Sequence, residues 1–226
     1  LAADEQYTRI TENKELMRVR KMYALPQEFI LYVGDINWNK NIPGLLKAFA
    51  MYRKSGKLQL VLAGKAFLEK RTPEANAINN LIVSLKLEHS IVQTGYIDPR
   101  DLPAVYSLAR VYIQPSFAEG FGLPLLEAMA CGVPTICSDK SSLKEIAGPS
   151  FLIDPNHEET IALSLERVFA FLTEHTGGAF PTWLAPVQVR VLSVSEKHVE
   201  YANLVLRSLG EAGIRVEIDD SNETLG

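Results

Sequence analysis

The stretch VYIQPSFAEGFGLPLLEAMACGVPTICSD, residues 111–139, contains two short apolar segments separated by a glycine-containing turn and a helical segment. VYIQPS and PTICSD have the length and composition of buried strands, whereas LPLLEAMA has the apolar spacing of a helix. A strand, a crossover helix and a second strand make up the repeating unit of a parallel sheet. This stretch therefore predicts an α/β fold.

The same unit repeats along the chain. Further strands are predicted at FILYVG, LQLVLAG, SIVQTG and SFLIDP, with helices at residues 43–54 and 74–85 between them. In DPRDLPAVYSLA, Asp98 is predicted to cap a helix that begins at Pro99. The repetition predicts a doubly wound, Rossmann-like parallel sheet of six strands.

A binding site is expected in the loops that follow the strands, because such sheets bind ligands beyond the carboxyl ends of their strands. Nearly every predicted strand ends in Gly, Ser or Asp. The loops concerned are residues 34–41, 64–67, 95–97, 115–122 and 138–141.

The chain changes character after Pro155. Residues 158–175 have the apolar spacing of a long helix, and a turn-rich connector follows. The strand VQVRVLSV, a helix at residues 197–209 and the strand IRVEID then predict one more βαβ unit. Both strands alternate apolar with polar residues, which predicts that they are half exposed. A domain boundary is expected near residues 170–180.

Composition limits the classes of function. Of 226 residues, 47% are hydrophobic and 22% are charged, which is typical of a globular protein, and the formal net charge is −4. This acidic balance provides no basic field for nucleic acid or an anionic membrane, and no apolar segment reaches the length of a membrane span. Cys131 and Cys137 lack metal-ligand spacing, so they are expected to be reduced packing residues in a cytoplasmic protein. The first residue, Leu1, indicates a processed chain or an excised fragment.

Glu119 and Glu127 lie on either side of the glycine-containing turn, around the start of its helix. Open backbone amides at a helix N-terminus favour phosphate, and carboxylates accept hydrogen bonds from neighbouring hydroxyls. Together these groups suit a nucleotide sugar. The two glutamates alone leave a second interpretation open, in which Glu119 is solvated and Glu127 only stabilises the helix N-terminus.

Glu119, seven residues, then Glu127 followed by AMACGVPTICSD resembles the family-four retaining glycosyltransferases of the GT-B fold. FILYVGDINWNKNIPGLLKAF is similar to the first strand and helix of that family's donor-binding domain, and GYIDPRDLPAVYSLARVYIQPSFAEGFGLP to its middle. The resemblance implies that Glu127 binds the ribose, Lys40 the diphosphate and Glu119 the transferred sugar. It also implies that the amides of Phe121, Gly122 and Leu123 meet the transferred sugar together with Glu119, and that Gly34 is a further donor-binding residue.

Asp35 departs from the family pattern. The family commonly has Arg after the glycine that ends the first strand, and a missing guanidinium weakens diphosphate binding. Lys65 follows another strand and is a weaker candidate for the phosphates, with a plain surface role as the alternative. The histidines occur singly, so no metal site is predicted, and no cofactor is expected beyond a nucleotide-diphosphate sugar as ligand.

The tail, FLTEHTGGAFPTWLAPVQVRVLSVSEKHVEYANLVLRSLGEAGIRVEIDDSNETLG, resembles threonyl-tRNA synthetase where its catalytic domain passes into its anticodon-binding domain. The two resemblances imply a glycosyltransferase-like domain at residues 1–168 and an anticodon-binding fragment at 169–226, joined through a shared helix near 158–175. Domain boundaries normally lie in exposed linkers. A junction within one helix therefore predicts an engineered chimera, with a natural gene fusion as the alternative.

Both resemblances are to parts of larger proteins. The first, acceptor-binding domain of a GT-B enzyme has no counterpart here, and the synthetase-like part lacks a catalytic domain. Asn222 and Glu223 match residues used near the anticodon, although Ser221 stands where Arg is common. They are weak candidates for a site.

Three hypotheses about function follow. The favoured one is a designed α/β protein that keeps at most residual nucleotide-sugar binding. The alternatives are a working retaining glycosyltransferase that transfers a hexose and a tRNA-binding module, which the acidic charge disfavours. A small-molecule nucleotide sugar is the expected partner, with no membrane or nucleic acid. The chain is expected to be a monomer or a homodimer paired through an exposed strand edge.

Overall fold

The computed structural model describes residues 3–69, 72–175, 189–192, 199–211 and 216–219. Its strands are β1 (Phe29–Val33), β2 (Gln59–Ala63), β3 (Ile91–Gly95), β4 (Val111–Gln114), β5 (Thr135–Ser138), β6 (Phe151–Ile153), β7 (Val189–Leu192) and β8 (Val216–Asp219). Its helices are α1 (Asn13–Met22), α2 (Ile42–Tyr52), α3 (Pro73–Ser84), α4 (Leu102–Leu108), α5 (Leu123–Ala130), α6 (Ser141–Ile146), α7 (Glu158–His175) and α8 (Val199–Glu211).

The first six strands form one sheet in the order β3-β2-β1-β4-β5-β6, and every pairing in it is parallel. The chain runs outward from β1 to β3, returns to place β4 beside β1, and then runs outward to β6. This arrangement confirms the predicted doubly wound, Rossmann-like fold. It also brings the five loops named above to one edge of the sheet, because parallel strands all end there.

Two hydrophobic layers cover the sheet, since successive side chains of a strand point to opposite faces. Ile30 and Tyr32 of β1 join the layer that contains α2, α3 and α7. Phe29 and Leu31 join the layer that contains α1, α4, α5 and α6. All four side chains are at most 1% exposed, which explains why the sequence of β1 is continuously apolar.

The prediction that a helix begins at Pro99 is wrong. α4 begins at Leu102, after a turn in which the amides of Asp101 and Leu102 both donate to the carbonyl oxygen of Asp98. The Asp98 carboxylate caps no helix, because it accepts hydrogen bonds from the amide and the guanidinium of Arg100.

α1 is not among the predicted elements: NKELMRVRKM is mostly polar, and its apolar contacts with the core come from Leu16 and Val19, which share one face of the helix. Val19 is its one buried residue. Arg18 fixes the helix by pairing with Glu15 on its own surface and with Asp101 at the start of α4.

β7, α8 and β8 form the predicted second βαβ unit, in which β7 pairs in parallel with β8. The predicted half exposure of these two strands and the turn-rich connector lie outside the described part of the structure. α7 runs without a break from Glu158 to His175. The domain division at residues 168 and 169, within this helix, stays a prediction.

Candidate functional site

The order of the sheet reverses between β1 and β4, which are neighbours in space although the chain leaves them toward opposite edges. A doubly wound sheet binds ligands in the crevice at this point, beyond the carboxyl ends of the two strands. The loop after β1 carries Lys40, and the loop after β4 carries Glu119. The topology therefore brings two of the predicted donor-binding residues together.

Asn41 fixes the loop that carries Lys40. Its φ of 54° lies in the left-handed region, which Asn tolerates better than most residues, and it is 5% exposed. Its side-chain amide donates to the carbonyl oxygens of Pro115 (3.2 Å) and Pro155 (2.7 Å). The loop after β1 is thereby tied to the segments that follow β4 and β6.

Lys40 and Glu119 form a partly buried ion pair, with the ammonium 2.8 Å from Oε1 and 2.7 Å from Oε2 of the carboxylate. The Glu119 side chain is 7% exposed and that of Lys40 is 20% exposed. Gln114 Nε2 (2.8 Å) and Ser116 Oγ (2.7 Å) also donate to Oε1 of Glu119. We call these four residues the switch-point cluster.

The turn at residues 117–122 is held from both sides. The amide of Phe117 donates to the carbonyl oxygen of Asn39 at 2.7 Å, which ties the turn to the loop after β1. On the other side, Ser141 Oγ donates to the carbonyl oxygen of Glu119 at 2.7 Å. The backbone around Glu119 is therefore positioned by the protein itself.

The start of α5 presents open amides next to this turn. Gly122 precedes the helix with φ of +84°, and a Cβ there would lie 2.6 Å from Leu143 Cδ2, so glycine is required. Pro124 occupies the first helical turn. The amides of Phe121, Gly122 and Leu123 precede or open that turn, where backbone N–H groups have no partner within a helix. With the helix dipole, they form a site suited to phosphate.

Glu127 lies on α5 and is partly buried. The Tyr106 hydroxyl donates to its Oε2 at 2.9 Å, and the ring of Tyr7 packs edge to face on that of Tyr106. Burial raises the pKa of Glu127, and the hydrogen bond from Tyr106 opposes the rise because it stabilises the ionised form. The carboxylate keeps further lone pairs with which it can accept hydrogen bonds from a ligand.

A cavity of about 410 Å³ lies beyond the ends of β1, β2 and β3. Among its lining residues are Gly34, Asp35, Lys65, Tyr96 and Ile97. The switch-point cluster and Glu127 are not part of this lining. The predicted site residues are thus divided between the cluster, the start of α5 and the cavity.

Asp35 faces its own loop rather than a cation. Its carboxylate accepts hydrogen bonds from the amide of Ile36 (2.7 Å) and the side chain of Asn37 (3.3 Å). Lys65, the weaker candidate, has a 79% exposed side chain that lies 3.8 Å from Glu69. Because Lys65 lines the cavity, a role in binding phosphate and a plain surface role both stay predictions.

The sequence reasoning missed Gln114, Ser116, Tyr106 and Tyr7. Gln114 carried a signal, because a glutamine inside an otherwise apolar buried strand needs a polar partner. Tyr106 carried no such signal in the sequence, since a tyrosine on the apolar face of a helix is usually a packing residue.

Other predicted features are placed as follows. Asn222 and Glu223 lie outside the described residues. Cys131 and Cys137 are free thiols in the core, and burial raises the pKa of the first to about 12 and of the second to about 11. In the described ranges, no group of three or more His, Cys, Asp or Glu side chains could hold a metal ion. No helix among the described residues is long and apolar enough to cross a membrane.

Replacing Lys40 by methionine is expected to lower the free energy of unfolding by about 3 kcal/mol at pH 7, because it leaves the buried Glu119 carboxylate without its cation. Lys47→Met is the matched control, since it removes a pair with Glu158 whose side chains are 52% and 30% exposed. That change should cost less than about 1 kcal/mol. Urea unfolding measures both variants, and equal losses would contradict the importance of the buried pair.

Two protein families match the sequence. Residues 13–170 match the family described as glycosyl transferases group 1, and residues 188–226 match the anticodon binding domain. The chain is 39% identical to O-antigen chain mannosyltransferase B of Escherichia coli over 152 residues, which is 66% of this chain and 39% of that protein. It is 65% identical to the threonine–tRNA ligase of Caldanaerobacter subterraneus subsp. tengcongensis over 63 residues, which is 28% of this chain and 10% of the ligase.

Solved structures share the fold. Sucrose-phosphate synthase from Thermosynechococcus elongatus matches with a TM-score of 0.65 and 24% identity, covering 94% of this chain and 52% of that one. Anabaena HepE in complex with UDP and glucose matches with a TM-score of 0.63 and 17% identity, covering 91% and 54%. The chain thus spans well under two thirds of the length of these relatives.

Both resemblances seen in the sequence are confirmed. Residues 188–226 carry an anticodon binding domain segment, and over residues 13–170 the chain belongs to the glycosyl transferases group 1 family.

Proposed function

We propose that residues 1–168 form the donor-binding half of a glycosyl transfer site, and that the chain binds a nucleotide-diphosphate sugar without completing a transfer. The observation that carries this proposal is the Lys40–Glu119 pair at the reversal of the sheet, beside the open amides of α5. A cation and amides suit the phosphates of such a ligand, and carboxylates suit its hydroxyls.

Each part of the ligand has a chemical counterpart. Glu127 accepts hydrogen bonds from the ribose, and Glu119 from the transferred sugar. The amides before α5 bind the diphosphate, and Lys40 moves toward it when sugar hydroxyls take its place on Glu119. The cavity receives the base, with the 66% exposed ring of Tyr96 as a stacking surface. The UDP and glucose in the HepE structure support this ligand class.

An engineered origin is part of the same proposal. The match to the first family ends at residue 170, inside α7, and the match to the second begins at residue 188. Natural domain boundaries favour flexible linkers over the middle of a helix. This placement supports a designed junction over a natural fusion, with residues 1–168 and 169–226 as the two parts.

Transfer of a hexose with retention is the second candidate, favoured by the intact Lys40–Glu119 pair. It predicts donor hydrolysis or sugar transfer by the purified chain. Product analysis by mass spectrometry, repeated with Glu127→Ala, tests it. Activity that survives this substitution would be inconsistent with the assigned site.

Isothermal titration calorimetry tests the binding itself. UDP, GDP and ADP and their hexose derivatives are titrated separately into the full chain. For at least one of them we expect a Kd of about 0.1–1 mM, which corresponds to about 4–5.5 kcal/mol. The matching nucleoside, which lacks the diphosphate, should give no measurable heat. Absence of heat with every diphosphate at millimolar concentration would overturn the proposal.

Replacing Asp35 by arginine is expected to tighten diphosphate binding about tenfold. The change removes a negative charge from the cavity wall and adds a guanidinium, which can bind phosphate oxygens in a bidentate manner. A tenfold change in Kd corresponds to about 1.4 kcal/mol. Asp35→Asn is the matched control, because it removes the charge and adds no cation. If arginine binds no more tightly than asparagine, the diphosphate does not lie beside residue 35.

A further inference from the structure

A second cavity, of about 560 Å³, lies where the strands begin, at the edge of the sheet opposite to the proposed donor site. Its volume is within the range of small-molecule binding sites. The lining side chains come from the starts of β1, β2, β3 and β4 and from the end of α2, and all of them are polar or charged. They are Gln27, Glu28, Arg53, Lys57, Gln59, His89, Ser90 and Arg110.

Positive charge exceeds negative charge on the wall of this cavity. Arg53 donates to the carbonyl oxygen of Gly56 at 2.8 Å, and this neutral partner leaves its charge uncompensated. Within the described residues, neither Arg53 nor the exposed Lys57 belongs to an ion pair. Arg110 pairs with Glu28 at 2.7 Å. With histidine neutral, three cations and one carboxylate give the lining a net charge of +2.

Hydrogen bonds hold the walls of the cavity in place. The amide of Arg110 donates to the carbonyl oxygen of Phe29 at 2.9 Å, and the amide of Gln59 donates to that of Glu28 at 3.3 Å. The side chain of Gln59 also donates to the carbonyl oxygen of His89 at 3.0 Å. The starts of four neighbouring strands are thereby tied together. A scaffold that is already ordered binds a ligand at a lower cost in conformational entropy.

A simpler role explains only part of this charge. Cations stabilise the C-terminus of a helix, and Arg53 directly follows the last residue of α2. Lys57 lies beyond that helix, and Arg110 belongs to the segment before β4. Three cations from different segments therefore converge on one cavity without a helix end that they share, which indicates an anion as ligand.

We propose that the second cavity binds a small phosphorylated compound, whose phosphate groups contact Arg53, Lys57 and Arg110. A guanidinium can bind two phosphate oxygens at once, and an ammonium adds a compact point charge. Gln27 and Ser90 offer donors and acceptors to the rest of the ligand. This site is separate from the proposed donor site, and neither proposal depends on the other.

Nitrogen-15 NMR titration of the full chain with inorganic pyrophosphate tests this site, at constant ionic strength because salt screens exposed charges. We expect saturable amide shifts with a Kd of about 1–10 mM. Sulfate, which carries less charge, should bind less tightly, and equal binding of both would show an adventitious ion only. Shifts confined to residues 34–41 and 117–127 would assign pyrophosphate to the donor site and overturn this proposal. The amides expected to shift are those of residues 27–28, 57–59, 89–90 and 110.

Replacing Lys57 by glutamine should weaken pyrophosphate binding about threefold to tenfold, because one of the cations is lost. Lys54→Gln is the matched control, since Lys54 is also exposed but does not line the cavity. It should leave the Kd unchanged. Equal losses in the two variants would show that the anion responds only to the overall charge, and would overturn the proposal.

Replacing Glu28 by glutamine should instead tighten pyrophosphate binding, about threefold to tenfold. The substitution removes the carboxylate of the lining and makes Arg110 available to the ligand. Glu88→Gln is the matched control, because Glu88 is a nearby exposed acid outside the lining. A merely structural role of Glu28 would not produce a gain. A folded Glu28→Gln variant that binds no more tightly than Glu88→Gln would therefore contradict the site.

The double variant Arg53→Gln/Lys57→Gln separates the two proposed sites. It should lose the pyrophosphate shifts at the starts of the strands and keep those that a nucleoside diphosphate causes at residues 34–41 and 117–127. Pyrophosphate shifts that persist at the starts of the strands in the folded double variant would overturn the second site alone. Absence of nucleotide shifts in the wild type would reject the proposed function alone.

Discussion

Replacing Glu127 by alanine is expected to weaken binding of a ribonucleoside diphosphate about 100-fold. The carboxylate is proposed to accept two hydrogen bonds from the ribose, and a hydrogen bond to a charged group contributes about 1.5–3 kcal/mol. Losing both corresponds to about 3 kcal/mol, or two orders of magnitude in Kd. Calorimetry should therefore find no heat at millimolar ligand for the variant.

Glu145→Ala is the matched control for this prediction, because Glu145 is an exposed glutamate on the neighbouring helix α6. Its substitution should leave the Kd unchanged. Glu127→Ala also leaves the Tyr106 hydroxyl without its acceptor, so thermal unfolding must accompany the titration. A folded Glu127→Ala variant that binds as tightly as the wild type would refute the ribose role.

The second large effect is expected at Gly64, where the loops after β1 and β2 meet. A Cβ on Gly64 would lie 2.0 Å from the carbonyl oxygen of Gly34, and its own amide donates to the carbonyl oxygen of Gly95 at 3.0 Å. The clashing atom belongs to the backbone, so relief requires the strand ends to separate. We expect Gly64→Ala to lower the free energy of unfolding by about 3–4 kcal/mol.

Gly120→Ala is the matched control, because a Cβ there would have no atom within 4 Å. It should change the free energy of unfolding by less than about 0.5 kcal/mol. Denaturant unfolding measures both variants. Gly64→Ala should also weaken nucleotide binding, since the displaced loop carries Lys40. Equal stabilities of the two variants would contradict the close approach of the strand ends.

The sequence predicted the sheet well because central strands such as β1 are buried on both faces and therefore read as uninterrupted apolar segments, whereas the edge strands β3 and β6 are only partly buried. Helices such as α2 and α3 were predicted to within two residues at each end. α1 was missed because its apolar face is narrow, with Leu16 and Val19 packed against the core, and because the ion pair of Arg18 with Asp101 that also holds it is not visible in a local pattern. The predicted helix cap at Asp98 was wrong because its carboxylate, which could have capped a helix, accepts a hydrogen bond from Arg100 instead.

The candidate site was only partly predictable. Lys40 and Glu119 are 79 positions apart, and their ion pair follows from the adjacency of β1 and β4, which local patterns do not reveal. The bond between Glu127 and Tyr106 likewise depends on how α4 packs beside α5. The ligand roles of these residues came from the family resemblance and stay predictions until binding is measured.

The most direct measurement is a map of where a nucleoside diphosphate binds, by nitrogen-15 NMR titration of the full chain. We expect the largest amide shifts at residues 34–41 and 117–127, around the reversal of the sheet. A second cavity, of about 560 Å³, precedes the strands at the opposite edge and is lined by basic side chains that include Arg53, Lys57 and Arg110. Shifts confined to that cavity, or no shifts at millimolar ligand, would contradict a donor site at the switch-point cluster.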